Sequence, residues 1–196
     1  RSKLKTLCAK EWRFFADNVG EKTNWLPPDN YQFSPVERVA MRTSPTNIGM
    51  FLISVLAARD FGYIDSEMLA MYIENAAVSV EKLLKWRGNL YNWYDLKTLE
   101  VIGEPFVSSV DSGNFAVCLV AVCEGIKEYA CEEPSLLDAL MRLENILSEL
   151  DLMPLYDESK KLFYIGYNAG TGRYTDSRYD IFMSEARLLS YYAMTT

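Results

Sequence analysis

Apolar residues recur at helical spacing along most of this chain. Leu4, Leu7, Cys8, Trp12, Phe15 and Val19 mark a first helix that Gly20 can end. A second is predicted from Ser44 or Thr46, with Pro45 tolerated in its first turn, through Ile48, Phe51, Leu52, Val55 and Leu56 toward Gly62. The third runs from Asp65 or Ser66 through Leu69, Tyr72, Ile73, Ala76, Val80, Leu83 and Leu84 to Gly88, and the fourth from Asp111 through Phe115, Leu119, Val122 and Ile126. A fifth starts at Pro134 or Ser135 and carries Leu136, Leu140, Leu143, Leu147 and Leu150, and a sixth opens near Tyr179. Two stretches have strand character: Leu90 to Tyr94, turned by Asp95 to Thr98 into Leu99 to Ile102, and Leu162 to Tyr167.

A unit therefore repeats: polar start, helix, turn, helix, extended aromatic loop. Neither helix of such a pair can cover its apolar face alone, so pairs stack side by side, and curving the stack gives an all-α ring, an α/α toroid with short β-hairpin excursions. The polar starts are Arg42 to Asn47, Ser108 to Asn114, and Ser177 to Asp180 leading into Ser184 to Arg187. Helix N-termini present unpaired N–H groups and positive partial charge, so these starts are expected to converge as the rim of one site. A pair with its loops occupies about 60 residues, so the chain reads as one helical domain, residues 1–196, making about half of a six-hairpin ring. It opens directly in a helical pattern at Leu4 and stops at Thr196 inside another, and is read as a piece of a longer polypeptide.

Composition narrows the chemistry. A net charge of −7 and a pI near 4.8 argue against nucleic acid or an anionic membrane surface as partner and favour a neutral ligand. Histidine is absent, which excludes Ser-His-Asp and Cys-His catalysis within this segment and leaves carboxylates, Tyr, Lys and Cys as acid/base groups. Cys8, Cys118, Cys123 and Cys131 form no CxxC pair and read as reduced, buried small hydrophobes of a reducing compartment. No metal, nucleotide or flavin is expected, since neither a Gly-rich phosphate loop nor a ligand cluster occurs. Nor is there a signal-peptide pattern or an apolar run taken to be of membrane-spanning length, the stretch Phe51 to Ala58 being too short. The thirteen Tyr and four Trp fall largely in loops, where they either close over a core or stack on sugar faces.

The run Asn24 to Asn30, then RTSPTNIG (Arg42 to Gly49), ARDFGYI (Ala58 to Ile64), RGNLYNWYD (Arg87 to Asp95), SSVDSGN (Ser108 to Asn114) and YDIFMSEARL (Tyr179 to Leu188), resembles the central glycoamylase-like region of cyclic β-1,2-glucan synthases. The resemblance covers nearly the whole chain in order. It implies a membrane-associated parent at the cytoplasmic side of the inner membrane, with glycosyltransferase and phosphorylase-like regions beside the toroid and no direct membrane insertion by this segment. It also implies transglycosylation on linear β-1,2-glucan that closes a ring, with the remaining toroid half required, so the segment alone is not expected to be active.

Glycosyl transfer with retention needs two carboxyl groups about 5 Å apart, one as nucleophile and one as acid/base. Asp111 and Glu185 are the candidate catalytic pair, with an N-cap as the structural alternative for Asp111 and an ion pair to Arg187 or Arg178 for Glu185. For substrate contact the candidates are Trp93 and Tyr94 as stacking platforms, Asn47, Asn92 and Asp95 as hydroxyl partners, and Arg42, Tyr179, Asp180 and Arg187 at the rim. Against these stand Trp93 as loop core, Asn47 and Asp180 as caps, and Arg42 as a clamp on the Pro-rich loop. A noncatalytic glucan-holding region of a synthase is the competing reading.

Overall fold

The computed structural model describes residues 2–131, 133–180 and 186–195. Among the described residues six α-helices follow one another: α1 (Ser2–Asn18), α2 (Pro45–Asp60), α3 (Ser66–Lys82), α4 (Ser109–Tyr129), α5 (Leu136–Ser148) and α6 (Arg187–Thr195). Three starts are fixed by caps. Ser44 accepts from the Asn47 N–H at 3.2 Å, Asp65 from the Met68 N–H at 2.8 Å, and Ser108 from the Asp111 N–H at 3.2 Å.

α2, α4 and α6 lie side by side, and the pairing of Thr46 with Asp111 near the start and of Leu56 with Gly125 further on shows that α2 and α4 run in the same direction. Small residues set the spacing. A Cβ on Gly49 would meet the Cys118 Cβ at 2.8 Å, and one on Gly113 would meet the Leu189 Cβ at 2.5 Å. On the other side α1 packs on α2, α3 on α2 and α5, and α5 on α4. The core between the tiers is built from Phe51, Leu52, Val55, Leu69, Ile73, Leu119, Ile126 and Leu143. This is an arc of helical hairpins with two tiers, as the repeat predicts.

The structure departs from the sequence pattern in several places. α3 stops at Lys82, and Lys85–Trp86 then pairs with Asn89–Leu90 across a turn at Arg87 and Gly88, both at positive φ. Leu83 is buried without being helical, which is why periodicity alone carried the helix too far. α4 starts two residues early because Ser108, not Asp111, caps it. Tyr179 and Asp180 are not helical, and α6 is described only from Arg187. Leu4 and Leu7 are exposed, so only the later part of the α1 stripe is core.

α4 is also long and apolar enough to cross a membrane, which corrects the expectation that no such run exists; most of it is buried against α2, α5 and α6. Cys118 and Cys123 are buried, and burial pushes both thiols up to about 11, so they pack as inert small hydrophobes. Cys131 is exposed and breaks that expectation.

Candidate functional site

The extended pieces run into the helices and so aim their starts. Arg42–Thr43 leads into α2 and pairs antiparallel with Tyr94–Asp95, Arg42 opposite Asp95 and Thr43 opposite Tyr94. Phe106–Ser108 leads into α4 and pairs with Gly166–Asn168. The Asn92 N–H donates to the Phe106 carbonyl at 2.8 Å, so the loop carrying Asn92 and Trp93 is tied to both lead-in strands. The expected hairpin is present too, with a bridge between Tyr94 and Val101.

A connected set of polar groups results. Thr46 Oγ1 donates to Asp111 Oδ1 at 2.5 Å and accepts from Asn114 Nδ2 at 3.2 Å. In the amide orientation that satisfies both its neighbours, Asn92 Nδ2 donates to Asp111 Oδ2 at 3.1 Å and Asn92 Oδ1 accepts from Trp93 Nε1 at 3.3 Å. Both Asp111 oxygens are thus fixed by donors from other elements. Asp111 is half-buried at the mouth between α2 and α4 and caps nothing.

A second cluster adjoins the first. Asp29 accepts from Arg42 Nη2 at 2.9 Å and Nε at 3.2 Å through Oδ2, and from Asn47 Nδ2 at 3.3 Å through Oδ1. Its own N–H donates to the Arg42 carbonyl, which fastens the loop with buried Pro27 and Pro28 across the helix ends. Arg42 is therefore a clamp on the Pro-rich loop as well as a rim group, and its guanidinium covers one face of Trp93 at 4.2 Å from the ring centre. Asp29, Thr46 and Asn114 are the site members that sequence reasoning did not select. Thr46 and Asn114 lay inside the polar starts already marked; nothing in the order of residues signals that Asp29 bridges Arg42 and Asn47.

One candidate is corrected, and another has a structural task of its own. Tyr94 is fully buried; its hydroxyl donates to the Leu84 carbonyl and accepts from the Tyr91 N–H, both at 2.6 Å, and burial pushes its phenol above the ordinary range. It braces the loop and offers no face for stacking. Asp95 accepts from the Lys97 and Thr98 N–H groups through Oδ1, and these backbone bonds hold its carboxyl below the usual carboxylate range. Through Oδ1 it shapes its own turn.

The third start is less complete. Glu185 lies outside the described residues. Arg187, in the first turn of α6, is exposed, as is Asp180, and the Gly113–Leu189 contact brings the beginning of α6 beside that of α4. Tyr179 is half-buried, donates its N–H to the Phe163 carbonyl at 3.0 Å, and lines a cavity of about 310 Å³ with Phe163, Ala186 and Ser190.

Arg178, weighed as a partner for Glu185, pairs with Asp157, donating from Nε at 2.8 Å and lying over Tyr164. Asp157 is buried, and the Ser159 hydroxyl together with Arg178 and two backbone N–H groups holds its carboxyl well below the usual range. A carboxyl depressed in the folded state contributes stability that is complete above its unfolded value of about 3.9 and lost as pH falls beneath it. Thermal melts between pH 7 and pH 2 are expected to show a shallower acid loss for Asp157→Asn than for the wild type. An unchanged slope contradicts this.

No protein-family model matches the chain. Among solved structures its fold is that of glucoamylase-like α/α-toroid proteins. It matches a glucoamylase-like protein of Bacteroides caccae with a TM-score of 0.77, 19% identity, and 93% of this chain covering 46% of that one. It matches a β-1,2-glucanase of Parabacteroides distasonis at 0.72 and 12%, 86% of this chain covering 24% of that one. An endo-β-1,2-glucanase of Talaromyces funiculosus, in complex with sophorose, gives 0.70 and 9%, with 93% and 44% covered.

In sequence the chain is a relative of cyclic β-1,2-glucan synthases, as its motifs indicate: it is 43% identical over 132 residues, 67% of its length, to cyclic β-(1,2)-glucan synthase NdvB of Rhizobium meliloti. It spans about 5% of that relative's length.

Proposed function

We propose that this chain supplies part of a carbohydrate-active site that works on linear β-1,2-glucan by transglycosylation, joining one part of a glucan to its other end. The observation that carries the reading is the fixing of Asp111 at the mouth by Thr46 and Asn92, beside Trp93 and Arg42. The likeness to a cyclic β-1,2-glucan synthase supports the substrate.

Asp111 and Glu185 are the proposed carboxylate pair. In a retaining transfer one carboxylate attacks the anomeric carbon as the other protonates the departing glycosidic oxygen. The second group then takes the proton from an incoming glucan hydroxyl, which displaces the carboxylate and restores both groups. Arg42, Asn47, Asn92, Trp93 and Tyr179 are proposed to hold the sugar units. Glycosyltransferase and phosphorylase-like regions of the same membrane-associated polypeptide, at the cytoplasmic side of the inner membrane, are the proposed partners, together with further helices of the ring.

The test is to incubate the intact protein, wild type and Asp111→Asn, with linear β-1,2-glucan and follow chain length and ring formation. The wild type is expected to change the distribution and the variant not to. Glucan that the wild type binds but leaves unchanged in length establishes the glucan-holding reading instead.

A further inference from the structure

Beside Arg42 lies a groove. Tyr31–Gln32 and Arg38–Val39 form a hairpin in which Gln32 stands opposite Arg38 and Tyr31 opposite Val39. Arg38 Nε donates to Gln32 Oε1 at 3.0 Å, and the Tyr31 hydroxyl bonds to Glu37, so side chains brace the hairpin. Between it and the Trp93 loop lies a space of about 590 Å³ lined by Asn30, Gln32, Arg38, Met41, Arg42 and Ile102. The Ile102 N–H donates to the Trp93 carbonyl at 2.9 Å, so one wall belongs to the hairpin that carries Trp93. Arg42 thus borders both the Trp93 ring and the groove.

We propose that this groove is an outlying subsite for the same glucan, gripping a stretch of neutral sugar chain beyond the units that reach Asp111; the inference rests on the proposed function. Sugar rings have hydroxyl edges and apolar faces, and the groove answers both. Arg38 makes one hydrogen bond among the described residues, through Nε, and its terminal nitrogens remain as donors; Gln32 and Asn30 add amides. Ile102, 40% exposed, and Met41 supply apolar wall. The volume falls in the range of ligand sites of about 300–1,000 Å³. Charge favours a neutral ligand, because Asp29 neutralises Arg42, Glu37 immediately precedes Arg38 in the same hairpin, and the chain carries −7 overall.

Affinity electrophoresis of the intact protein in gels containing linear β-1,2-glucan, with kinetics on long and short chains, tests this. Gln32→Ala/Arg38→Ala is expected to weaken retention about tenfold, two lost hydrogen bonds at typical net values. KM for long chains should rise several-fold, more than for the shortest chain processed, while kcat stays within about twofold. Ile102→Ser, on the opposite wall, should give the same loss without touching the Arg38 hairpin. Undiminished retention in both variants, with a wild type that still processes glucan, overturns the subsite and leaves the proposed function standing. Wild-type retention that collapses in about 0.5 M salt also overturns it, because hydroxyl recognition is not screened as ion pairing is. A wild type that neither binds nor processes glucan refutes the underlying function, a result visible before any variant is made.

Discussion

Asp111→Asn is expected to lower kcat for glucan transfer by about 10³-fold, within the 10²–10⁴ range of a positioned acid/base group, with a melting temperature close to wild type. Asparagine keeps the shape and can still accept from Thr46 through its oxygen. On the other side Asn92 can turn its amide to present oxygen to the new NH₂, at the cost of its bond with Trp93 Nε1, about 1 kcal/mol. What disappears is the charge. Kinetics of ring closure on the intact protein, beside circular-dichroism melts, separate lost chemistry from lost fold. Activity within threefold of wild type would remove Asp111 from the reaction and leave it a hydrogen-bonding fixture of the rim. Glu185→Gln should fall as far if the two carboxyl groups act together, and the double variant should be little worse than either single one, since groups acting as a unit are not additive.

The largest expected loss of stability is Gly88→Ala, at about 3 kcal/mol. Two causes add. Gly88 has φ of +77°, which costs a residue with a Cβ on the order of 1–3 kcal/mol. A Cβ there would also stand 1.9 Å from the Glu149 carbonyl oxygen, a backbone atom that cannot swing aside. The turn is tied down further, since the Asp151 N–H donates to the Arg87 carbonyl and Asn89 Nδ2 to the Asp151 carbonyl at 2.7 Å. For a chain of this size the loss corresponds to a drop in Tm of roughly 6–12 °C. Gly103→Ala makes the control, because Gly103 has φ of +74° but open space around its Cα, and should show the strain alone at about 1 kcal/mol. Equal losses at the two positions would mean that the contact with Glu149 relaxes.

Sequence by itself determined the helical arc. Apolar residues spaced by turns of a helix, with Ser, Asp and Pro at the starts and Gly at several ends, follow from backbone hydrogen bonding and local sterics, so α1, α2, α3, α4 and α5 were legible to within a few residues. It also marked Arg42, Asn47 and Asp111 from the polar starts of two helices, and Asn92 and Trp93 from the aromatic loop, as candidates for the same site. Tertiary structure decided the use of each. Alternation and loop position could not separate Tyr94, whose hydroxyl is bonded to the Leu84 carbonyl and the Tyr91 N–H, from its neighbour Trp93, nor show that Asp95 commits Oδ1 to its own turn. The same holds for Asp29, which reaches Arg42 and Asn47 only because the Pro-rich loop folds back across the helix ends. Local propensity is written in neighbours along the chain, whereas burial and hydrogen-bond partners depend on which distant segments pack together.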